Sequence, residues 1–204
     1  MPLAAQTPAV SAALSPAEAH ERALLQCVAN RDRGAFAELY TGYHRRLTRF
    51  LRRVTQRHEL IDDVINDTFW LVWQKAGEFR GHSKVSTWII GIAYRCALRA
   101  LRRTGGATMA YEPDREGSEA TAGPQPEAEL RDWIDKAFVH LSPDQRVTLQ
   151  LAYYLGHSLE EISEIMQCSV STVKARMFHA RVKLRALLPA LGGMSDGTNA
   201  ESFG

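Results

Sequence analysis

Lys174, Arg176, His179, Arg181, Lys183 and Arg185 crowd a short stretch that contains no acid. Cations at this density on a helix suit charge-assisted hydrogen bonds to phosphates, and donors near the helix start suit base edges. On the opposite side Val170, Val173, Met177, Ala180, Leu184 and Leu188 recur every three or four residues, so one apolar stripe faces a core. A shorter helix precedes it. Ser158 and Glu161 form a capping box, Leu159, Ile162, Ile165 and Met166 share one face, and Glu160, Glu161 and Glu164 make it acidic. Cys168-Ser169 breaks the pattern, and Ser169 is a natural N-cap for the basic helix. An acidic helix, a tight turn and a basic helix form a helix-turn-helix whose second helix enters a DNA major groove. The plainer alternative, a hairpin with a solvated basic face, leaves Phe178 without a packing partner among the cations.

Two further groups carry chemistry. Asp63, Asn66 and Asp67 make an acidic strip on a helix of an otherwise basic segment. Such a strip is poorly suited to DNA and well suited to a basic protein partner. Arg95, Arg99, Arg102 and Arg103 recur along another helix at spacings that can follow phosphates. Trp88 at the start of that helix suits the core better than a wedge between bases. The loop from Arg80 to Ser86 is expected to be mobile enough to wrap an unstacked base.

Helices must position these groups. Ser15-Pro16-Ala17-Glu18 starts one that runs to about Ala29. A second is expected from Gly34 to about Thr55, with Phe36, Leu39, Tyr40, Tyr43, Leu47, Phe50, Leu51 and Val54 inward. A third is expected from about Glu59 to Ala76 and a fourth from about Lys84 to Arg103. Helix returns from about Glu127 to His140, and Ser142-Pro143-Asp144-Gln145 opens another that ends at Gly156. No stretch alternates long enough for a strand, so the fold is expected to be all-α.

Residues 104–126, rich in Gly, Pro and Ala, are expected to be a flexible acidic linker between two small helical domains, 15–103 and 127–191. Residues 1–14 and 192–204 are expected to be disordered. The net charge of +2 hides an asymmetry. Residues 19–103 hold sixteen Lys/Arg against eight Asp/Glu, which implies a polyanion at the first domain as well as at the basic terminal helix. There is no secretory signal and no apolar run long enough to span a membrane, so a cytoplasmic protein is expected. Cys27, Cys96 and Cys168 lie far apart and fit free thiols, with no metal site expected. No P-loop, G-x-S-x-G or H-E-x-x-H occurs, so an enzyme is not expected.

Three blocks together resemble the extracytoplasmic-function members of the sigma-70 family, over about residues 20–190. Asp63 to Trp73 is similar to the family helix that docks on the clamp coiled coil of the RNA polymerase β′ subunit, which implies Asp63, Asn66, Asp67, Trp70 and Trp73 as the core contact. Phe79-Arg80-Gly81 through Ser86-Thr87-Trp88 to Arg102-Arg103 looks like the segment that binds and opens the −10 element. It implies Arg80, His82, Ser83, Lys84, Ser86, Thr87, Trp88, Arg95, Arg99, Arg102 and Arg103. Thr172 to Arg181 resembles the −35 recognition helix and, with its flanks, implies Ser171, Thr172, Lys174, Ala175, Arg176, Phe178, His179, Arg181 and Lys183. The resemblance implies an alternative sigma factor without a cofactor. Its partners would be core RNA polymerase (β′ clamp coiled coil and β flap), promoter DNA and an anti-sigma factor, soluble or membrane-bound, that holds it inactive until a stress signal. Many relatives carry Asn and Asp where Arg95 and Arg99 stand, and Ser and Arg where Ala175 and His179 stand, so the promoter sequences read here are expected to differ from the commonest ones. The alternative is a helix-turn-helix regulator that does not associate with core polymerase; it leaves the acidic strip and the Trp88–Arg103 helix unexplained.

Overall fold

A computed structural model describes residues 15–55, 57–103 and 137–192. The expectations for the N-terminal segment, the linker, most of the 127–140 helix and nearly all of the tail fall outside these residues. Among the described residues there is no strand. Helices α1 (Pro16–Ala29), α2 (Arg33–Val54), α3 (Ile61–Lys75) and α4 (Val85–Arg103) form the first unit. Helices α5 (Pro143–Leu149), α6 (Leu159–Met166) and α7 (Val170–Gly192) form the second.

Local chemistry sets most of these boundaries. Ser15 with Glu18, Ser142 with Gln145 and Ser158 with Glu161 each close a reciprocal capping box, satisfying N–H groups that the first helical turn leaves unpaired. The start of α2 differs from the expectation. Asp32 accepts from the N–H groups of Gly34 and Ala35, so the helix begins at Arg33. The third helix is also shorter than expected, because 3-10 turns at His58–Leu60 and Ala76–Glu78 take its two ends. The helix opening at Ser142 does not run on to Gly156 as one α-helix. After Leu149 it widens into a π-helical segment, Gln150–Tyr154, and Gly156 then reverses the chain at φ +70°.

The expected stripes are the ones buried. Leu39, Tyr43, Leu47, Phe50, Leu51 and Val54 of α2 pack on Ile61, Val64, Ile65, Phe69 and Val72 of α3 and on Ile89, Ile90 and Ala93 of α4. In the second unit Ile162, Ile165, Val173, Met177 and Ala180 close the helix-turn-helix. Its turn is set by Gln167, a C-cap in the left-handed region at φ 52°. The apolar cluster is continuous across both units, because α6 lies on α4.

His157 is buried at this junction. Its Nδ1 lies 3.5 Å from Glu161 Oε2, and Arg46 of α2 and Lys84, just ahead of α4, face it as well. Burial pushes its pKa down; Glu161 opposes this, while Arg46 and Lys84 add to it. Because the folded pKa lies below the ordinary value of about 6.5, the unfolded chain binds the proton more readily, and stability rises with pH through this window. Urea unfolding midpoints should therefore hold above about pH 7 and fall as pH drops through about 6.5 toward 5. His157→Gln should remove that part of the slope.

Candidate nucleic-acid and protein interfaces

The acidic strip belongs to α3, whose inner face is spent on the core. Thr68 Oγ1 bonds the Val64 carbonyl and points inward, so the outer face is left to Asp63, Asn66, Asp67 and Trp70, all exposed. Trp70 is 61% exposed, a large apolar surface left in water beside two carboxylates. Trp73 is half-buried. Phe36 meets its ring edge-on, and Arg31 stacks over it at 5.3 Å while donating to its carbonyl. Between α2 and α3 lies an open groove of about 470 Å³ lined by Phe36, Tyr40, Phe69, Trp70 and Trp73, with Arg33 and Asn66 as its polar groups. The five predicted residues thus share one face, and the groove adds Phe36 and Tyr40 to it.

The second group surrounds the start of α4. The loop before it is not loose, as expected, but tied down. Arg22 of α1 donates to the carbonyls of Gly81 at 3.1 Å and Ser83 at 3.4 Å. Gly81 sits at φ +73°, a left-handed backbone that favours glycine, and Arg22 Nη1 comes within 2.9 Å of where a Cβ would stand. Arg80, His82, Lys84, Arg99, Arg102 and Arg103 are exposed. Arg95, partly buried, and Arg99 line a second hollow of about 280 Å³ with Trp88, Lys75 and Cys96. Ser86 and Thr87, by contrast with the expectation, are not open in this structure: Ser86 is 7% exposed, and Thr87, 1% exposed, lies under Glu161 of α6.

The third group lies on α7. Ser169 accepts from the Thr172 N–H and shares hydroxyl bonds with Ser171 and Thr172, which fixes the helix start. Lys174, Ala175, Phe178, His179, Arg181 and Lys183 are exposed, Phe178 by 63%. Arg176 is not available with them. Its guanidinium pairs with Asp144 at the start of α5 and reaches Cys168 Sγ at 3.4 Å, so it locks α7 to its own unit. Arg181 stacks on Tyr153 of the π segment and donates to its hydroxyl, and Lys183 donates to the His140 carbonyl. Both nevertheless stay at the surface. Arg22 carries no motif, Asp144 was read only as part of a helix start, and no local spacing points to the pairings either makes.

The chain matches the family described as Sigma-70 region 2 over residues 39–106 and that described as Sigma-70, region 4 over residues 131–184. The RNA polymerase sigma-H factor of Pseudomonas aeruginosa is 32% identical, the match covering 84% of this chain and 95% of that protein. The ECF RNA polymerase sigma factor SigM of Mycobacterium tuberculosis is 29% identical, with coverage of 88% and 90%. In three dimensions the chain resembles the sigma factor RpoE of Bartonella quintana, solved in complex with the anti-sigma factor NepR. The TM-score is 0.58 at 26% identity, over 76% of this chain and 96% of that one.

The division on α7 is measurable in the free protein. Arg176→Ala should lower unfolding free energy by about 1.5–3 kcal/mol, as a hydrogen-bonded charge pair is lost. Lys174→Ala, on the open face, should change it by no more than about 0.5 kcal/mol. Denaturant titration of both variants is the check.

Proposed function

The chain belongs to the extracytoplasmic-function group of the sigma-70 family, and from that premise we propose which surface performs each step of promoter-directed initiation. The α3 face of Asp63, Asn66, Asp67, Trp70 and Trp73 docks the chain on core RNA polymerase. The observation that carries this reading is the pairing of exposed carboxylates with an exposed tryptophan on a unit otherwise rich in arginine. Acids repel DNA phosphates and attract a basic protein face, and a tryptophan beside them supplies the apolar anchor of an interface. The β′ clamp coiled coil is the partner assigned to this face, and the β flap is assigned to residues 127–191.

Arg80, His82, Ser83, Lys84, Arg99, Arg102 and Arg103 hold the −10 strand, and Lys174, Ala175, Phe178, His179, Arg181 and Lys183 meet the −35 duplex. DNA opens by binding energy, through capture of unpaired bases, and the reading assigns no bond-making step. The chain acts where polymerase and promoter are, in the cytoplasm; no described helix is long and apolar enough to cross a membrane. An anti-sigma factor is the proposed regulator, supported by the Bartonella quintana relative held by NepR. A helix-turn-helix regulator without polymerase would leave the match over residues 39–106 without a purpose.

Asp63→Arg with Asp67→Arg should weaken binding to core polymerase about tenfold or more, since the reversed charges now face a basic partner. Binding to a −35 duplex should not weaken. Unchanged core affinity in a pull-down titration would sink the docking assignment. On the DNA side, Phe178→Ala or Lys174→Ala should cost about 1–3 kcal/mol on the true −35 duplex and much less on a scrambled one. Arg181→Ala should weaken both alike and flatten the salt dependence by about one unit of slope. Equal losses on both duplexes for Phe178→Ala would remove it from the reading face.

A further inference from the structure

The two DNA-facing surfaces are not equally free. The outer face of α7 is open, whereas the entrance to α4 is covered by α6. Thr87 Oγ1 donates to Glu161 Oε1 at 3.0 Å, and Lys84 Nζ lies 3.2 Å from the same oxygen. Ser83 Oγ donates to Glu164 Oε1 at 2.9 Å. One turn further on, Gly91 lets the two backbones approach. A Cβ there would lie 3.7 Å from Ile165 Cα, so a larger side chain would push α6 away. At the far edge Gln150 Nε2 donates to the Arg53 carbonyl at 3.4 Å, and the Arg53 guanidinium stacks 3.9 Å above Tyr154.

The chemistry of the contact is that of a strand backbone. Hydroxyls and an ammonium, groups that bind phosphate oxygens, are met by carboxylate oxygens instead. The second unit does not need these carboxylates there for its own fold. The capping box uses only Glu161 Oε2, which accepts from the Ser158 N–H, so Oε1 is spent wholly on α4 and its loop. Glu164 is exposed, and its side-chain bond also goes to the other unit.

We infer that the free chain occludes itself: the acidic first helix of its helix-turn-helix occupies the −10 strand's place on α4, and α6 must leave before that strand binds. The inference rests on the assignment of the −10 strand to α4. Lys84 is about half exposed, so the polar part of the latch is partly screened and is released by competing polyanion or salt.

The experiment uses the full chain and a labelled single-stranded 12-mer of random sequence. Glu161→Gln with Glu164→Lys removes the latch while keeping the capping box, since glutamine serves there too. Glu160→Lys with Asp62→Asn, both at exposed positions, adds the same positive charge without touching the latch and is the control. The latch variant should show a larger radius of gyration in small-angle scattering. It should also bind the 12-mer about fivefold more tightly than the control, the worth of a few half-exposed ionic contacts. Adding Arg99→Ala with Arg102→Ala should reverse the gain. A larger radius with binding no tighter than the control overturns occlusion, and an unchanged radius overturns the latch. If the arginine substitutions leave the opened variant's binding unaltered, the −10 assignment falls and takes this inference with it.

Discussion

The Glu161 carboxylate ties the start of the helix-turn-helix to the first unit. One oxygen closes the N-terminal cap of α6 and faces His157; the other receives Thr87 and lies against Lys84. Burial pushes this carboxyl's pKa up. The Ser158 N–H, Lys84 and Thr87 outweigh burial and hold it below its ordinary value, so it is ionised wherever the chain is folded at neutral pH. The two oxygens of one side chain thus serve the cap and the contact with α4 separately. The orientation of the second unit on the first is thereby coupled to the start of the helix-turn-helix.

Charge of one sign is put to two uses on the same helix. Arg176 and Lys174 are two residues apart and both cationic. Arg176 is turned inward to Asp144 and Cys168, where it sets the angle of α7 against α5. Lys174 stands in solvent where a duplex can reach it. A recognition helix needs both kinds of residue, because a reading face has meaning only if its helix is held rigidly. The same division occurs around the α4 loop, where Arg22 holds backbone carbonyls while Arg80 remains outside.

The sequence by itself determined the parts of this structure that depend on neighbours along the chain. Reciprocal bonds between residues three apart place the starts of α1, α5 and α6, and apolar residues recurring every three or four place the buried faces of α2, α3 and α7. Ordinary helix geometry produces both, so they are legible without a partner. The acidic residues Asp63, Asn66 and Asp67 were legible as one face of α3 for the same reason, whereas Trp70 and Trp73 were added to it only by the family resemblance.

Only the tertiary structure decided the pairings between distant residues. Arg22 meets Gly81, Thr87 meets Glu161, and Arg176 meets Asp144, each across tens of residues. Nothing in spacing distinguishes the inward Arg176 from the outward Lys174, or the buried Thr87 from the exposed Lys84. The π segment at Gln150–Tyr154 was equally hidden, because its side chains fit an α-helix as well. Which face of α4 a second unit covers depends on close approach at Gly91 and on carboxylates brought from another helix. These are properties of two surfaces meeting, and a one-dimensional pattern holds only one of them at a time.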